Sequence, residues 1–354
     1  MKNIIKTVIV MLTSISLFGS ANAGELTVSG TAKATYNITS GYSNQGKGLG
    51  VTNEFDLGAN GELDNGFTWK YQIQMDPGNS GATNNSDVQN DDSQLTLTTP
   101  YGTAGVFISE GGLDVEDSAS QSVYGRPTDI GDPSATVDNM DIDGNNSLQY
   151  HTPAGLLPFD TIIKLATVPN AGGSSNTSGN ATGGVTTSVT TTVAETYNAA
   201  QIKATPMPGL NVGASYVQAN NGGTSRYQAG RSGAVFAKYK TGPYSVGISR
   251  AENYPHVATL TPVPTRAASI ERYGQTNVSA AYLVNDNLSV SYEVETSLAY
   301  RVSDMDDKQE SQAIQAAYTM GGMTLAISQG YYDNLGYSAN KDAEQTLFAV
   351  TMAF

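Results

Sequence analysis

The sequence predicts an all-β protein: a closed antiparallel barrel of sixteen strands that crosses a membrane, with one long loop after the fifth strand folded inward. Three observations predict it. Apolar and polar residues alternate with period two along most of the chain, the pattern of strands with two unlike faces. Short turns and long loops alternate between the strands, as they do when all turns lie on one side of a membrane and all loops on the other. Beyond Ala23 no apolar run is long enough for a membrane helix, which needs about 20 residues.

The first residues set the compartment. Lys2 and Lys6 give a positive start, Val8 to Phe18 a short apolar core, and Ala21-Asn22-Ala23 the small residues of a cleavage site. Residues 1–23 therefore read as a secretory signal peptide, and the barrel is expected over residues 24–354. Without cysteine, disulfides and thiolate metal sites are excluded. Setting aside Lys2 and Lys6, 16 of the 18 bases remain against 32 acids. A chain this acidic does not suit the phosphates of nucleic acid.

The strands follow in order. Leu26, Val28, Ala32, Ala34, Tyr36 and Ile38 alternate with Thr27, Ser29, Thr31, Lys33, Thr35 and Asn37. Val51 to Glu62 repeats the alternation and ends at Asp64-Asn65-Gly66, where Asn-Gly supplies the positive φ angles of a tight hairpin. Phe67 to Met75 returns, with Lys70 on the polar face. Leu95 and Leu97 belong to a fourth strand, and Val106 to Ser109 to a fifth. The sixth is expected at Ser147 to Thr152 and the seventh at Phe159 to Val168. Strands eight to sixteen pair through turns at Pro206-Met207-Pro208-Gly209, Thr241-Gly242-Pro243, Asn285-Asp286-Asn287 and Gly321-Gly322. The Gly, Ser, Thr, Asn and Ala run Asn170 to Thr192 and the proline-bearing Ala251 to Ser269 are long surface loops.

A soluble β-sandwich would bury the same apolar faces between two sheets, but the hairpin regularity runs unbroken through sixteen strands, which favours the barrel. In so wide a barrel the interior is wet, so the apolar face looks to lipid and the polar face lines a channel. Trp69, Tyr101, Phe159, Tyr244, Tyr282, Tyr318 and Phe354 cluster beside the short turns, where an interfacial aromatic girdle belongs.

The connection after strand five, residues 110–145, breaks the pattern. It carries Glu110, Asp114, Glu116, Asp117, Asp129, Asp132, Asp138, Asp141 and Asp143 against one base, Arg126. A connection this long needs a job, and a pore constriction is the expected one. Glu110, Asp114, Glu116, Asp117, Asp129 and Asp132 are the candidate acidic lining. Lys33, Lys70, Lys164, Lys203 and Lys238 have inward parity. Glu54 and Asp56 share that parity on strand two, strand four offers only Gln94, Thr96 and Thr98, and strand six Gln149 and His151. Asp141-Ile142-Asp143-Gly144-Asn145 matches part of a calcium loop, but its glycine is misplaced and no bidentate Glu follows. A turn built on Asx side chains is the better reading; calcium elsewhere in the acidic segment stays open as the one cofactor to consider. His151 and His256 are far apart and suggest no metal or catalytic pair.

Taken together, the signal peptide, Leu26-Thr27-Val28-Ser29-Gly30, Tyr101-Gly102-Thr103-Ala104-Gly105-Val106-Phe107, the acidic segment behind it, Asn146-Ser147-Leu148-Gln149-Tyr150 and a terminal strand ending on Phe354 resemble the Gram-negative general porins. The resemblance implies a homotrimeric outer-membrane channel, embedded in lipid and lipopolysaccharide, through which small hydrophilic solutes diffuse. It implies that residues 110–145 form the constriction and that bases line the wall facing it, for which Lys33, Lys70, Lys164, Lys203 and Lys238 are the candidates. The dense arginine cluster of enterobacterial relatives is missing, which points to a mild cation preference. A substrate-selective channel of the same architecture would want inward aromatics or arginines, and a non-conducting receptor barrel would want a plug. A lipase would want a Ser/His site. None of these features stands out, so neither catalysis nor a catalytic residue is expected.

Overall fold

The computed structural model describes residues 26–41, 46–77, 88–130, 141–171, 195–220, 230–254, 270–301 and 307–354. The expected signal peptide, Asp132, Asp138 and His256 lie outside them. Sixteen strands form one closed antiparallel barrel. In chain order they are β1 (Leu26–Gly41), β2 (Gly46–Glu62), β3 (Thr68–Pro77), β4 (Val88–Thr99), β5 (Gly102–Ile108), β6 (Ser147–His151), β7 (Ile162–Ala171) and β8 (Glu195–Met207). They continue as β9 (Leu210–Asn220), β10 (Arg231–Thr241), β11 (Tyr244–Tyr254), β12 (Ile270–Leu283), β13 (Leu288–Arg301), β14 (Asp307–Met320), β15 (Met323–Asp333) and β16 (Ala343–Ala353). Among the described residues no helix is long and apolar enough to cross a membrane; the strands do the crossing. A bilayer tolerates them only because the closed ladder leaves no edge unpaired.

Each strand separates two faces. Outward stand Val278, Tyr292, Ile314, Ile327 and Phe348, all exposed. Between them Asn277, Ser291, Glu293, Gln315, Ser328 and Gln345 turn inward and are buried. The register keeps these sets apart around the ring: Asn277 pairs with Glu295, Ser291 with Gln315, and Gln315 with Ser328. The expected girdle residues Tyr244 and Tyr282 face each other across β11 and β12 with ring centroids 5.0 Å apart.

Closure is made by β1 and β16, in register from Thr31↔Ala353 to Gly41↔Ala343. Gly30 and Phe354 extend that ladder, exchanging both backbone hydrogen bonds at 3.0 Å.

Several boundaries differ from expectation: β11, for one, runs on to Tyr254, past the expected loop start at Ala251, and three others have a visible cause. The seventh strand starts at Ile162, not Phe159, because Pro158–Asp160 forms a short 3-10 turn in which Phe159 and Asp160 have φ of 62° and 50°. Such left-handed residues cannot join a ladder. The fifth strand begins earlier, at Gly102, and Ser109, with φ of 51°, stops it. The second begins at Gly46: Gly46, Gly48 and Gly50 pair with β1, but their missing side chains hide the alternation. The first connection on the long-loop side therefore spans only residues 42–45.

Candidate functional site

The segment after β5 is tied to the inner face of the barrel strand by strand. Gln149 of β6 donates its amide to the Gly111 carbonyl at 2.6 Å, and Gln201 of β8 donates to the Leu113 carbonyl at 2.9 Å. Ser215 of β9 donates to Asp114 Oδ1 at 2.9 Å. A short 3-10 turn, Glu116–Ala119, follows. Val115 and Ala119 on either end of it pack with Ala234, Phe236 and Ala251 of β10 and β11. Ser279 of β12 donates to the Ala119 carbonyl, and the Gln121 N–H donates back to Ser279 Oγ. Ser120 and Ser122 donate to Glu293 Oε2 of β13 at 2.5 and 2.7 Å.

The trace continues around the ring. Gln315 of β14 accepts from the Tyr124 N–H at 3.1 Å and donates to the Gly125 carbonyl at 2.6 Å. Tyr332 of β15 donates to the Pro127 carbonyl at 2.8 Å, and Gln345 of β16 to the Ile130 carbonyl at 2.9 Å. Tyr124 then meets β1, where Lys33 Nζ stands 5.6 Å from its ring centroid. Backbone groups off any ladder must find partners, and here inward amides and hydroxyls supply them. Asp141 completes the fastening: its carboxylate accepts from the Leu113 and Asp114 N–H groups at 2.9 and 3.0 Å. These bonds tie together positions 28 and 27 residues apart in sequence, and Ile142 packs beside Leu113.

Arg126 is the hub. Its side chain is 7 % exposed and ion-paired with Glu116, Asp117, Asp129 and, from β13, Glu295. The Asp129 pair is bidentate, at 2.8 and 2.9 Å, the stronger geometry for guanidinium and carboxylate. Burial alone would disfavour the charge, but the Asp129 hydrogen bond and the Glu295 and Asp117 charges outweigh it and raise the pKa above the ordinary value.

The candidate acids fall into two groups. Glu116 does not face open space as expected: its side chain is 3 % exposed and turned to Arg126. Asp114 is likewise turned to the wall, accepting from Ser215 and from the Val115 and Glu116 N–H groups through Oδ1. Asp117 and Asp129 keep 62 % and 49 % of their side chains exposed while paired to Arg126. Glu110 is half-buried and accepts from the Gly111 N–H.

The candidate bases all have inner-face positions. Lys33 lies between Thr52 and Thr351, and Lys70 between Asn60 and Thr96. Lys164 pairs with His151 and Gln201, Lys203 with Gly213, and Lys238 with Asn211. Sequence reasoning places Gln149 inward on strand six but not as an anchor, and it misses Gln201, Gln315, Gln345, Glu293, Glu295 and Tyr332, which also hold the segment. Their shared signal is inward parity near mid-strand, with side chains long enough to leave the wall.

Fold and site together define a β-barrel of the outer-membrane channel class. The chain belongs to the Gram-negative porin family, whose model matches residues 8–354, and its place is the outer membrane. No curated protein sequence matches it. Solved structures match over nearly its whole length at low identity. A loop-deletion mutant of the Vibrio cholerae outer-membrane protein OmpT aligns with a TM-score of 0.66 at 13 % identity, covering 94 % of this chain and 100 % of that one. Salmonella typhi OmpF, in complex with daunomycin, gives 0.64 at 13 %, covering 94 % and 98 %. The outer-membrane channel DcaP of Acinetobacter baumannii gives 0.63 at 13 %, covering 95 % and 99 %. These likenesses concern the fold.

Proposed function

We propose that the protein is a passive diffusion porin, in which residues 110–145 narrow the lumen and small hydrophilic solutes and ions pass between that segment and the free inner wall. The observation that carries this reading is the course of the segment. Its described bonds run from β6 round to β16, which leaves Glu54, Asp56, Lys70, Gln72 and Gln94 of β2, β3 and β4 facing the remaining space. That wall is itself ordered: Gln72 donates to Asp56 at 3.1 Å and Gln94 to Gln72 at 3.3 Å.

The preference we assign is mildly cationic. A single guanidinium is shared by four carboxylates, two of them still half exposed, so the segment keeps a negative excess that gathers counter-cations. The protein acts by transport, not catalysis. We assign it a homotrimeric state within lipid and lipopolysaccharide; a trimer form is described for Vibrio cholerae OmpT. Reconstitution into planar bilayers tests the reading. Under a KCl gradient we expect ohmic conductance with a zero-current potential of the sign for K+ over Cl−. A silent bilayer, or the opposite sign, overturns it.

A further inference from the structure

The geometry points to a binding site for multiply charged anions, of the phosphate or polyphosphate class, on the short-turn side of the wall-bound segment. It is formed by Lys164, Lys203 and Lys238. The inference rests on the pore reading above and adds to it a second charged zone, in series with the acidic one.

The three lysines lie on the inner face of β7, β8 and β10 within one neighbourhood. Lys164 is opposite Gln201, two residues from Lys203, a diagonal separation of about 7–8 Å between Cα atoms that long side chains bridge. Lys203 is opposite Gly213, and Gly213 is in turn opposite Phe236, two residues from Lys238. The charges of Lys164 and Lys238 both act on Lys203. Gly213 lets the neighbouring side chains lie flat over it: a Cβ there would meet the Ile202 carbonyl, the Phe236 ring and the Lys203 stem, and Lys203 Nζ stands 5.8 Å from the centroid of that ring.

Nothing described neutralises the cluster. Among the described residues no carboxylate lies within ion-pair distance of these three ammonium groups. The acids whose charges do reach Lys203 are Asp114 and Asp117. Asp114 is bonded to Ser215 and two backbone N–H groups, and Asp117 to Arg126. Three half-buried cations without counter-ions, held together by the register, repel one another. A polyphosphate laid along the three, whose outer members stand three strands and four residues apart in register, relieves that repulsion and accepts from each ammonium in turn. Lysine suits the task because it binds phosphate as a point charge at variable angle. The site's height follows from the same registers. Gln201 and Ser215 hold the segment, and Lys203 lies two residues nearer the Met207–Leu210 turn than Gln201.

The test uses the purified full-length chain in planar bilayers, with sodium tripolyphosphate as the probe against a KCl background. We expect concentration-dependent reduction of K+ conductance, at least fivefold more sensitive from the short-turn side than from the other. In the triple variant K164Q/K203Q/K238Q the half-blocking concentration should rise tenfold or more. K47Q, on the outer face of β2 opposite Ile38, should leave it unchanged. Equal block in the triple variant, or block abolished by K47Q instead, overturns the site. Calorimetric titration of the detergent-solubilised protein with tripolyphosphate reads the site independently of conduction. Heat of binding in the parent and none in the triple variant sustains it even where no KCl conductance is seen, an outcome that would sink only the pore reading. No heat in the parent overturns it.

Discussion

The guanidinium of Arg126 lies 3.4 Å from the carboxylate of Glu295, with side chains 7 % and 0 % exposed. The contact joins the segment after β5 to the inner wall of β13 across 169 positions of sequence. The neighbouring Thr128 N–H donates to the other Glu295 oxygen at 2.9 Å. Glu295 thus holds both the side-chain hub of the segment and its backbone.

Removing the hub should free the segment. Arg126→Ala leaves Glu295 and Glu116 buried without their partner, and breaking a buried pair from one side costs about 3–5 kcal/mol. The barrel ladder is untouched, so the cost should appear locally. We expect Arg126→Ala to keep its strand content by circular dichroism, to become cleavable between residues 110 and 130 under limited proteolysis, and to show noisier single-channel currents. Arg126→Met combined with Glu295→Gln should recover much of the protection. An Arg126→Ala segment as resistant as the parent's would assign the anchoring to the glutamines and Tyr332 alone.

The acids of the segment should not contribute equally to ion selectivity. Asp117 is 62 % exposed and Glu116 is 3 % exposed, though they are adjacent and share Arg126. Neutralising an exposed charge changes the field that ions meet; neutralising a buried one changes the packing. Asp117→Asn should therefore shift the zero-current potential toward zero by several millivolts under a KCl gradient, with folding unaffected. Glu116→Gln should leave the potential near the parent value. The reverse ranking would contradict the placement of both side chains.

How much of this was legible in the sequence follows from which signals are local. Strand parity is local, so the inner-face positions of Lys33, Lys70, Lys164, Lys203 and Lys238 were readable from period two alone. The break after β5 was readable too, because a long acidic run cannot sit in an alternating ladder. Which acids face open space was not readable. Asp114 and Asp117 look alike in sequence, but Asp114 is held to the wall by the distant Ser215 on β9 together with the local Val115 and Glu116 N–H groups. The anchors were missed for the same reason: Gln149, Gln201, Gln315 and Gln345 read as ordinary channel-lining residues until a backbone runs beside them. Gly46, Gly48 and Gly50 concealed the start of β2 because glycine carries no mark of either face.

Asp114 should make the attachment of the segment respond to pH. Burial raises its pKa above the ordinary 3.8; the Ser215 hydrogen bond pulls the other way, and the like charge of Asp141 adds to the rise. An acid whose folded pKa is raised binds its proton more readily in the folded state than in the unfolded one. The penalty is therefore fully present above the folded pKa and is relieved as pH falls through it toward 3.8. As far as Asp114 governs it, acidification should slow amide exchange at residues 113–116 after correction for intrinsic rates. Asp114→Asn keeps the Oδ1 acceptor that all three hydrogen bonds use. It should show the slower exchange already at neutral pH, and no further slowing below it. Exchange in the parent that accelerates on acidification would contradict this.

Closure of the barrel should depend on the absence of a side chain at position 30. Gly30 and Phe354 exchange backbone hydrogen bonds at 3.0 Å, and the Phe354 ring packs with Phe55 at 5.6 Å between centroids. A Cβ at Gly30 would run into the Glu54 carbonyl and the Phe354 ring. Gly30→Val must therefore displace the ring or part the β1–β2 ladder, an overpacking cost of about 1–3 kcal/mol. Phe354→Ala loses only the ring contact and keeps both backbone bonds, so it should cost less. Thermal melts in detergent should rank the parent above Phe354→Ala and Phe354→Ala above Gly30→Val. In the double variant the penalties should not add, because the small side chain at position 354 gives the valine room. Strictly additive losses would mean that the clash at the Glu54 carbonyl dominates and the Phe354 ring plays no part in fitting β16 against β1.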